Sequence, residues 1–317
     1  MRVLVTDAEY EFLDIEAEVL TGAGHELLVG RCRTAEDVIA AAADVDALIV
    51  QYAPVPAEVL EALPRLRLVS RYGVGVDVVD LDAARARGVW VCNVPDYGTA
   101  EVALHAVAML LALLRNLAEH DRAVRAGRWD YRAGGRLQRP GGLTLGVVGL
   151  GRIGRMTMER AAPWFGGCVG YDPHLPDAAW PDGVERVGLD ELFARSNAVT
   201  LHLPLTPENR GLVGTDLLGR MPPGSFLVNT ARGGLVDPDA VLRALEEERL
   251  AGVALDVLPE EPPPPEHPLL AHPRALVTPH VAWYSEQSEV ELRRKAAENV
   301  VTWARTGRPA YAVVEGR

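Results

Sequence analysis

The sequence predicts an α/β protein built as two doubly wound domains. Short apolar runs alternate with amphipathic helical stretches along almost the whole chain, the rhythm of parallel strands joined by helices. That rhythm restarts, more strongly, near the middle. The 317 residues, 48% of them hydrophobic, also exceed what one core usually covers.

Residues 3–5, 26–29, 47–50 and 68–69 read as buried strands of the first series, each followed by a helical or turn segment. The second series comprises residues 145–148, 168–171, 198–203, 225–228, 252–255 and 276–277. Between them, residues 100–126 form one long helical pattern. Arg115, Arg122, Arg125 and Arg128 gather at its C-terminal end, where cations suit the helix dipole. Residues 129–142, rich in Gly and Arg, read as an exposed connection. "PEEPPPPEHP" (259–268) holds too many prolines for a helix or central strand and predicts a rigid loop. A last helix is expected over 286–305.

A formal charge of −12 argues against partners such as nucleic acid or anionic lipid, while leaving room for a local cationic pocket. Cys32, Cys92 and Cys168 lie far apart, without metal-ligand spacing, and are expected to be reduced, buried thiols. "MRVLVTDAEY" is unlike a signal peptide and no uncharged run is long enough to span a bilayer, so the expected compartment is the cytoplasm.

Gly149-Leu150-Gly151-Arg152-Ile153-Gly154 follows an apolar run and opens a helical pattern. Asp172 follows 23 residues after Gly149, at the end of the next apolar run. That context turns a weak G-x-G-x-x-G pattern into a dinucleotide site. Gly149 would turn tightly, Gly151 would let backbone amides reach the pyrophosphate, and Gly154 would let helix and strand pack closely. Asp172 would accept from the adenosine ribose and repel a 2′-phosphate, favouring NAD over NADP.

In a doubly wound sheet, ligands lie beyond the carboxyl ends of the strands. Arg232, Asp256 and His280 all stand at such ends, and Glu261 lies in the proline-rich loop between the last two. Hydride transfer to a 2-keto acid requires a fixed cation for the carboxylate and carbonyl. It also requires a titratable proton donor and an acid to orient that donor. Arg232, His280 and Glu261 are those three residue types.

The chain resembles the NAD-dependent D-2-hydroxyacid dehydrogenases over nearly its whole length. The markers are "YGVGVD" (72–77), "NVP" (93–95), "GLGRIG" (149–154), "VNTARGGLVD" (228–237), "LDVLPEEP" (255–262) and "TPH" (278–280). The resemblance implies a flavodoxin-like, discontinuous substrate domain from residues 1–97 plus 286–317, and a central Rossmann domain from residues 98–285. It implies a homodimer through the 100–126 helix and a catalytic set of Arg232, Glu261 and His280. Glu261, rather than its neighbour Glu260, directly precedes the proline. The cofactor set implied is Thr99, Gly149, Gly151, Arg152, Ile153, Gly154, Asp172, Pro204, Thr206, Thr230, Ala231 and Asp256. Where the family usually has an acid after the Val-Ala that follows "NVP", this chain has Leu104 and then His105.

"SRYGVGVD" and "HVAWYSEQ" narrow the likeness toward the C-terminal binding protein and phosphoglycerate dehydrogenase branch. By that likeness Arg71 and the backbone N–H groups of Val74 and Gly75 would hold the substrate carboxylate, and Trp283 would wall the pocket. The activity implied is reversible reduction of a small 2-keto acid to a D-2-hydroxy acid. Two cations around one pocket suit a short keto acid with a second polar or anionic group. The alternative class is an NADH-gated protein-interaction module, for which the intact Arg/Glu/His set would be surplus.

Overall fold

Each apolar run of the first series becomes a strand of a parallel sheet: β1 (Arg2–Val5), β2 (Glu26–Val29), β3 (Ala47–Val50), β4 (Leu68–Arg71) and β5 (Trp90–Cys92). The second series gives β6 (Thr144–Val148), β7 (Gly167–Tyr171), β8 (Glu185–Arg186), β9 (Ala198–Leu201), β10 (Ser225–Asn229), β11 (Leu250–Leu255) and β12 (Ala275–Val277), again all parallel. A final strand, β13 (Ala312–Val314), runs antiparallel to β5. The computed structural model describes all 317 residues. They divide into two units, one of residues 1–98 with 285–317 and one of residues 99–284.

In the discontinuous unit the strand order is β13-β5-β4-β3-β1-β2. The first five strands have the flavodoxin-like order, which reverses between β1 and β3. Leu4, Leu48, Val50, Val69 and Val91 fill one face of this sheet. On β4, Ser70 Oγ donates to the Ala296 carbonyl at 2.8 Å, tying the strand to the helix Glu286–Thr306. The C-terminal segment thus completes a core begun by the N-terminal one.

The central unit has the order β12-β11-β10-β9-β6-β7-β8, reversing between β6 and β9. That is the Rossmann arrangement, and its crevice opens at the carboxyl ends of those two strands. Side chains alternate across the sheet. Val148, Leu227, Val253 and Leu255 pack with Phe193 and Val241 on one side. Leu145, Val147, Val228 and Ala254 pack with Met109, Leu110 and Leu114 on the other. Each such burial stabilises by roughly 1.5–3 kcal/mol, enough to hold strand ends rigidly in place.

Four sequence expectations need correction. Residues 100–126 form two helices, Thr99–Leu114 and Leu117–Arg125, bent by 59°. The break falls at Asn116, which adopts φ 47° and donates from Nδ2 to the Gly134 carbonyl, a pose that a helix interior forbids. The run at 198–203 ends as a strand at Leu201, before Pro204. β5, β8 and β13 are further strands absent from the two series; β8 consists of the charged Glu185 and Arg186 and so carries no apolar signal. Cys168 is half-buried rather than buried. No single helix is long and apolar enough to cross a membrane.

Candidate active site

β6 ends at Val148, and the chain turns through Gly149-Leu150-Gly151 into the helix Arg152–Ala161. Two of the glycines answer to different neighbours. A Cβ on Gly154 would run into the Gly149 carbonyl, so this glycine lets helix and turn touch. A Cβ on Gly151 would meet nothing within 4 Å. The chain leaves that place open, with Arg152 exposed and Ile153 half-buried beside it. Asp172 closes the turn from the end of β7. Its Oδ2 accepts from Leu150 N at 2.8 Å and its Oδ1 from His174 N and Leu175 N at 2.9 and 3.1 Å.

Behind the turn, next to Gly149, lies His202. Its ring meets Thr200 Oγ1 at 3.0 Å, and desolvation pushes its pKa down to about 3, so the imidazole is neutral. Next along the chain, Pro204 accepts through its carbonyl from Asn209 Nδ2 at 2.8 Å, and Thr206 shares a capping box with Asn209. Both therefore stabilise a short turn at the same rim of the sheet.

After β10 a cation, Arg232, stands at the strand end beside Gly233 and Gly234. Asn229, fully buried, spans the turn. Its Oδ1 accepts from Ala231 N at 3.0 Å and its Nδ2 donates to the Arg232 carbonyl at 2.9 Å. Arg232 Nη1 donates to the Ala231 carbonyl at 2.8 Å, fixing the half-buried guanidinium near its own backbone. A Cβ on Gly233 would overlap the Leu258 carbonyl group, so this glycine lets the arginine turn lie against the loop that follows β11. Thr230 Oγ1 is buried with no hydrogen-bond partner.

Leu258 also holds the acid. Its N–H donates to Glu261 Oε1 at 2.9 Å, and Glu261 Oε2 lies 2.6 Å from His280 Nδ1. A carboxylate only accepts, so Nδ1 carries the proton and Nε2 is left for other work. Arg232, Glu261 and His280 are therefore gathered through one short run of backbone. Glu260 makes no such contact. His280 adopts φ 52°, a left-handed pose of order 1 kcal/mol above the usual one, held by its N–H donating to the Asp256 carbonyl at 2.8 Å.

Asp256, expected among the cofactor residues, gives its carboxylate to the protein. Oδ1 accepts from Thr278 Oγ1 at 2.5 Å and from Val281 N at 2.9 Å, and Oδ2 accepts from Ala282 N at 2.9 Å. Any cofactor contact would share these oxygens. His105 also reaches this cluster, 3.1 Å from Thr278 Oγ1. In the sequence alone His105 shows only as a departure from the family pattern. Trp283 packs edge-on against Tyr284, with ring centroids 5.7 Å apart. Thr99 opens the helix Thr99–Leu114.

In the discontinuous unit, Arg71 ends β4 and the chain turns at once. Gly73 has φ 127°, and a Cβ there would overlap the Arg71 guanidinium. The glycine thus makes room for the arginine to fold over its own turn, beside the Tyr97 hydroxyl. Val74 accepts through its carbonyl from Asn93 Nδ2 at 2.7 Å, while no group of the chain accepts from the N–H of Val74 or Gly75. Two donors and a guanidinium at one turn are the groups that an anion-binding turn would use.

The sequence profile of the D-isomer-specific 2-hydroxyacid dehydrogenase NAD-binding domain matches residues 107–282. The chain belongs to this family. It is 35% identical over 315 residues to the D-3-phosphoglycerate dehydrogenase of Archaeoglobus fulgidus, covering 96% of this chain and 58% of that one. The glyoxylate reductase of Korarchaeum cryptofilum is 40% identical over 268 residues, covering 83% and 80%. Among solved structures, the NAD-dependent formate dehydrogenase of Staphylococcus aureus in complex with NAD superposes with a TM-score of 0.88 at 32% identity, covering 100% of both chains. The chain spans about half to three-fifths of the length of the phosphoglycerate dehydrogenases it matches.

The family's cofactor is NAD, and the residues present fit it. The open place at Gly151, the helix N-terminus behind it, the Asp172 carboxylate and the orphaned Thr230 hydroxyl are features that a dinucleotide would use.

Proposed function

We propose that the protein catalyses NAD-dependent reduction of a short 2-keto acid to a D-2-hydroxy acid, and the reverse oxidation. The observation that carries this reading is the Glu261–His280 pair, 2.6 Å apart, packed through Leu258 against the Arg232 turn. NAD, when bound, supplies or accepts the hydride. His280 Nε2 protonates the carbonyl oxygen during reduction and takes the hydroxyl proton during oxidation. Glu261 fixes the ring tautomer that leaves Nε2 available. Arg232 binds carboxylate and carbonyl as a fixed, always-charged cation. Arg71 with the Val74 and Gly75 amides takes the substrate carboxylate, and Trp283 limits the size of the substrate.

In this reading residues 1–97 with 286–317 serve the substrate and residues 98–285 the cofactor. Formate oxidation involves no hydroxyl proton, so the imidazole–carboxylate pair favours a hydroxy acid. Glyoxylate, hydroxypyruvate and phosphorylated keto acids are the substrates to try first, in keeping with the names of the relatives. Arg232→Ala or His280→Ala should lower kcat/KM by at least about 10²-fold. Near-wild-type turnover in either variant would overturn the assignment. The same proposal makes the protein a dimer through residues 99–125, where Leu104, Leu117 and Val124 are 63%, 56% and 48% exposed. A monomeric mass by light scattering at micromolar concentration would exclude this.

A further inference from the structure

His105 and Thr278 have no part in the reaction as derived, yet both stand directly behind the loop that carries His280. The protons between them can be assigned. Thr278 Oγ1 lies 2.5 Å from Asp256 Oδ1 and 3.1 Å from His105 Nε2. An ionised Asp256 has no proton to give, so the single hydroxyl proton of Thr278 goes to Oδ1. Thr278 Oγ then offers only lone pairs, and His105 Nε2 must carry a proton and donate it. The result is a one-way chain of donors, His105 to Thr278 to Asp256. It ends on a carboxylate whose side chain is 1% exposed, and His105 Nε2 is itself 3.6 Å from that oxygen. The same aspartate holds Val281 N, Ala282 N and, through its carbonyl, His280 N.

We propose that this relay is a positioning device for His280. Asp256 works as the post around which residues 278–282 are wrapped, and Thr278 and His105 keep the post fixed. The proposal rests on His280 being the acid/base and asks what sets its position. A relay of this kind changes turnover through geometry, because a displacement of about 1 Å in a reacting group costs on the order of 10²-fold in rate. Asp256 keeps its Val281 and Ala282 donors whether or not Thr278 donates, so the keto-acid and dinucleotide contacts change less than the position of His280.

The decisive variant is Thr278→Val, which keeps the shape and removes the hydroxyl. With glyoxylate or hydroxypyruvate and NADH, kcat should fall by about 10- to 100-fold, while KM for the keto acid and Kd for NADH move by less than about 3-fold. Thr278→Ser should return kcat to within about 3-fold of wild type. In the ligand-free protein, the ring ¹⁵N resonances of His280 should shift in Thr278→Val and return in Thr278→Ser. If Thr278→Val does not fold, His105→Leu, which removes only the outer donor, should lower kcat in the same direction by a smaller factor. A folded Thr278→Val, or in its absence a folded His105→Leu, with wild-type kcat and unshifted resonances overturns the relay. So does a Thr278→Ser as slow as Thr278→Val. His280→Ala separates the two levels of the argument: activity there defeats the acid/base assignment. An inactive His280→Ala beside a fully active Thr278→Val defeats the relay alone.

Discussion

Gly151 and Gly154 stand three residues apart in one motif, and the structure predicts opposite outcomes for the same substitution. In Gly154→Ala the new Cβ collides with backbone, the Gly149 carbonyl, which cannot swing aside as a side chain would. Overpacking of this kind costs about 1–3 kcal/mol. For a unit of this size that lowers Tm by roughly 2–12 °C, with or without cofactor. In Gly151→Ala the Cβ enters open space at φ −66°, an ordinary value for alanine. The ligand-free protein should therefore be as stable as wild type or gain about 0.4–1 kcal/mol from a less flexible unfolded chain. Its loss appears only with cofactor. Losing one charge-assisted contact of about 1.5–3 kcal/mol weakens NADH binding by about 10- to 150-fold. At NADH of about 100 times the wild-type Kd, wild type gains about 2.7 kcal/mol, whereas a variant binding about 30-fold more weakly gains about 0.9 kcal/mol. Thermal unfolding with and without NADH, with Kd from NADH fluorescence, measures all of these quantities. An unchanged Kd in Gly151→Ala would refute the claim that the open place belongs to the dinucleotide.

Three further outcomes follow from the geometry. Gly233→Ala should force the Arg232 turn off Leu258 and lower kcat/KM by about 10²-fold; unaltered kinetics would mean that the contact between the two loops is idle. Asp172→Ala should weaken NADH binding and narrow its margin over NADPH, and a wild type that already prefers NADPH would contradict the role given to this carboxylate. His202 titrates near 3 when folded against 6.5 in the unfolded chain. Between those values the unfolded state binds more protons, so stability present above pH 6.5 is lost as pH falls toward 3. Urea unfolding at pH 7 and pH 5 should show a smaller loss in His202→Asn, and equal losses would place the acid sensitivity elsewhere.

What could be read from the sequence was whatever depends on local order. The glycine motif, its following acid and the apolar runs are neighbours in the chain, so the pattern alone located β6, the turn and Asp172. The strand-end residues Arg232 and His280 were legible for the same reason, because a strand announces its own end. What was hidden depends on residues far apart. Gly233 is explained by Leu258, Gly73 by the folded-back Arg71, and Asp256 by a loop more than twenty residues later. The helix break at Asn116 escaped notice because its cause is the Gly134 carbonyl, on a connection that the sequence showed only as exposed.

The grip on His280 has a consequence for heat. Sheet ladders lose their hydrogen bonds one rung at a time, but the Thr278 hydroxyl and the N–H groups of His280, Val281 and Ala282 converge on a single aspartate, so removing that anchor frees these four together. A segment fastened at one point behaves as its own small opening unit, with its own free energy below that of the whole fold. The left-handed pose of His280 adds to the tendency to spring open. Warming should therefore silence the protein before it melts. In hydrogen exchange, the amides of Val281 and Ala282 should open in step with that loss, while those of Val147 and Val228 stay closed until global unfolding.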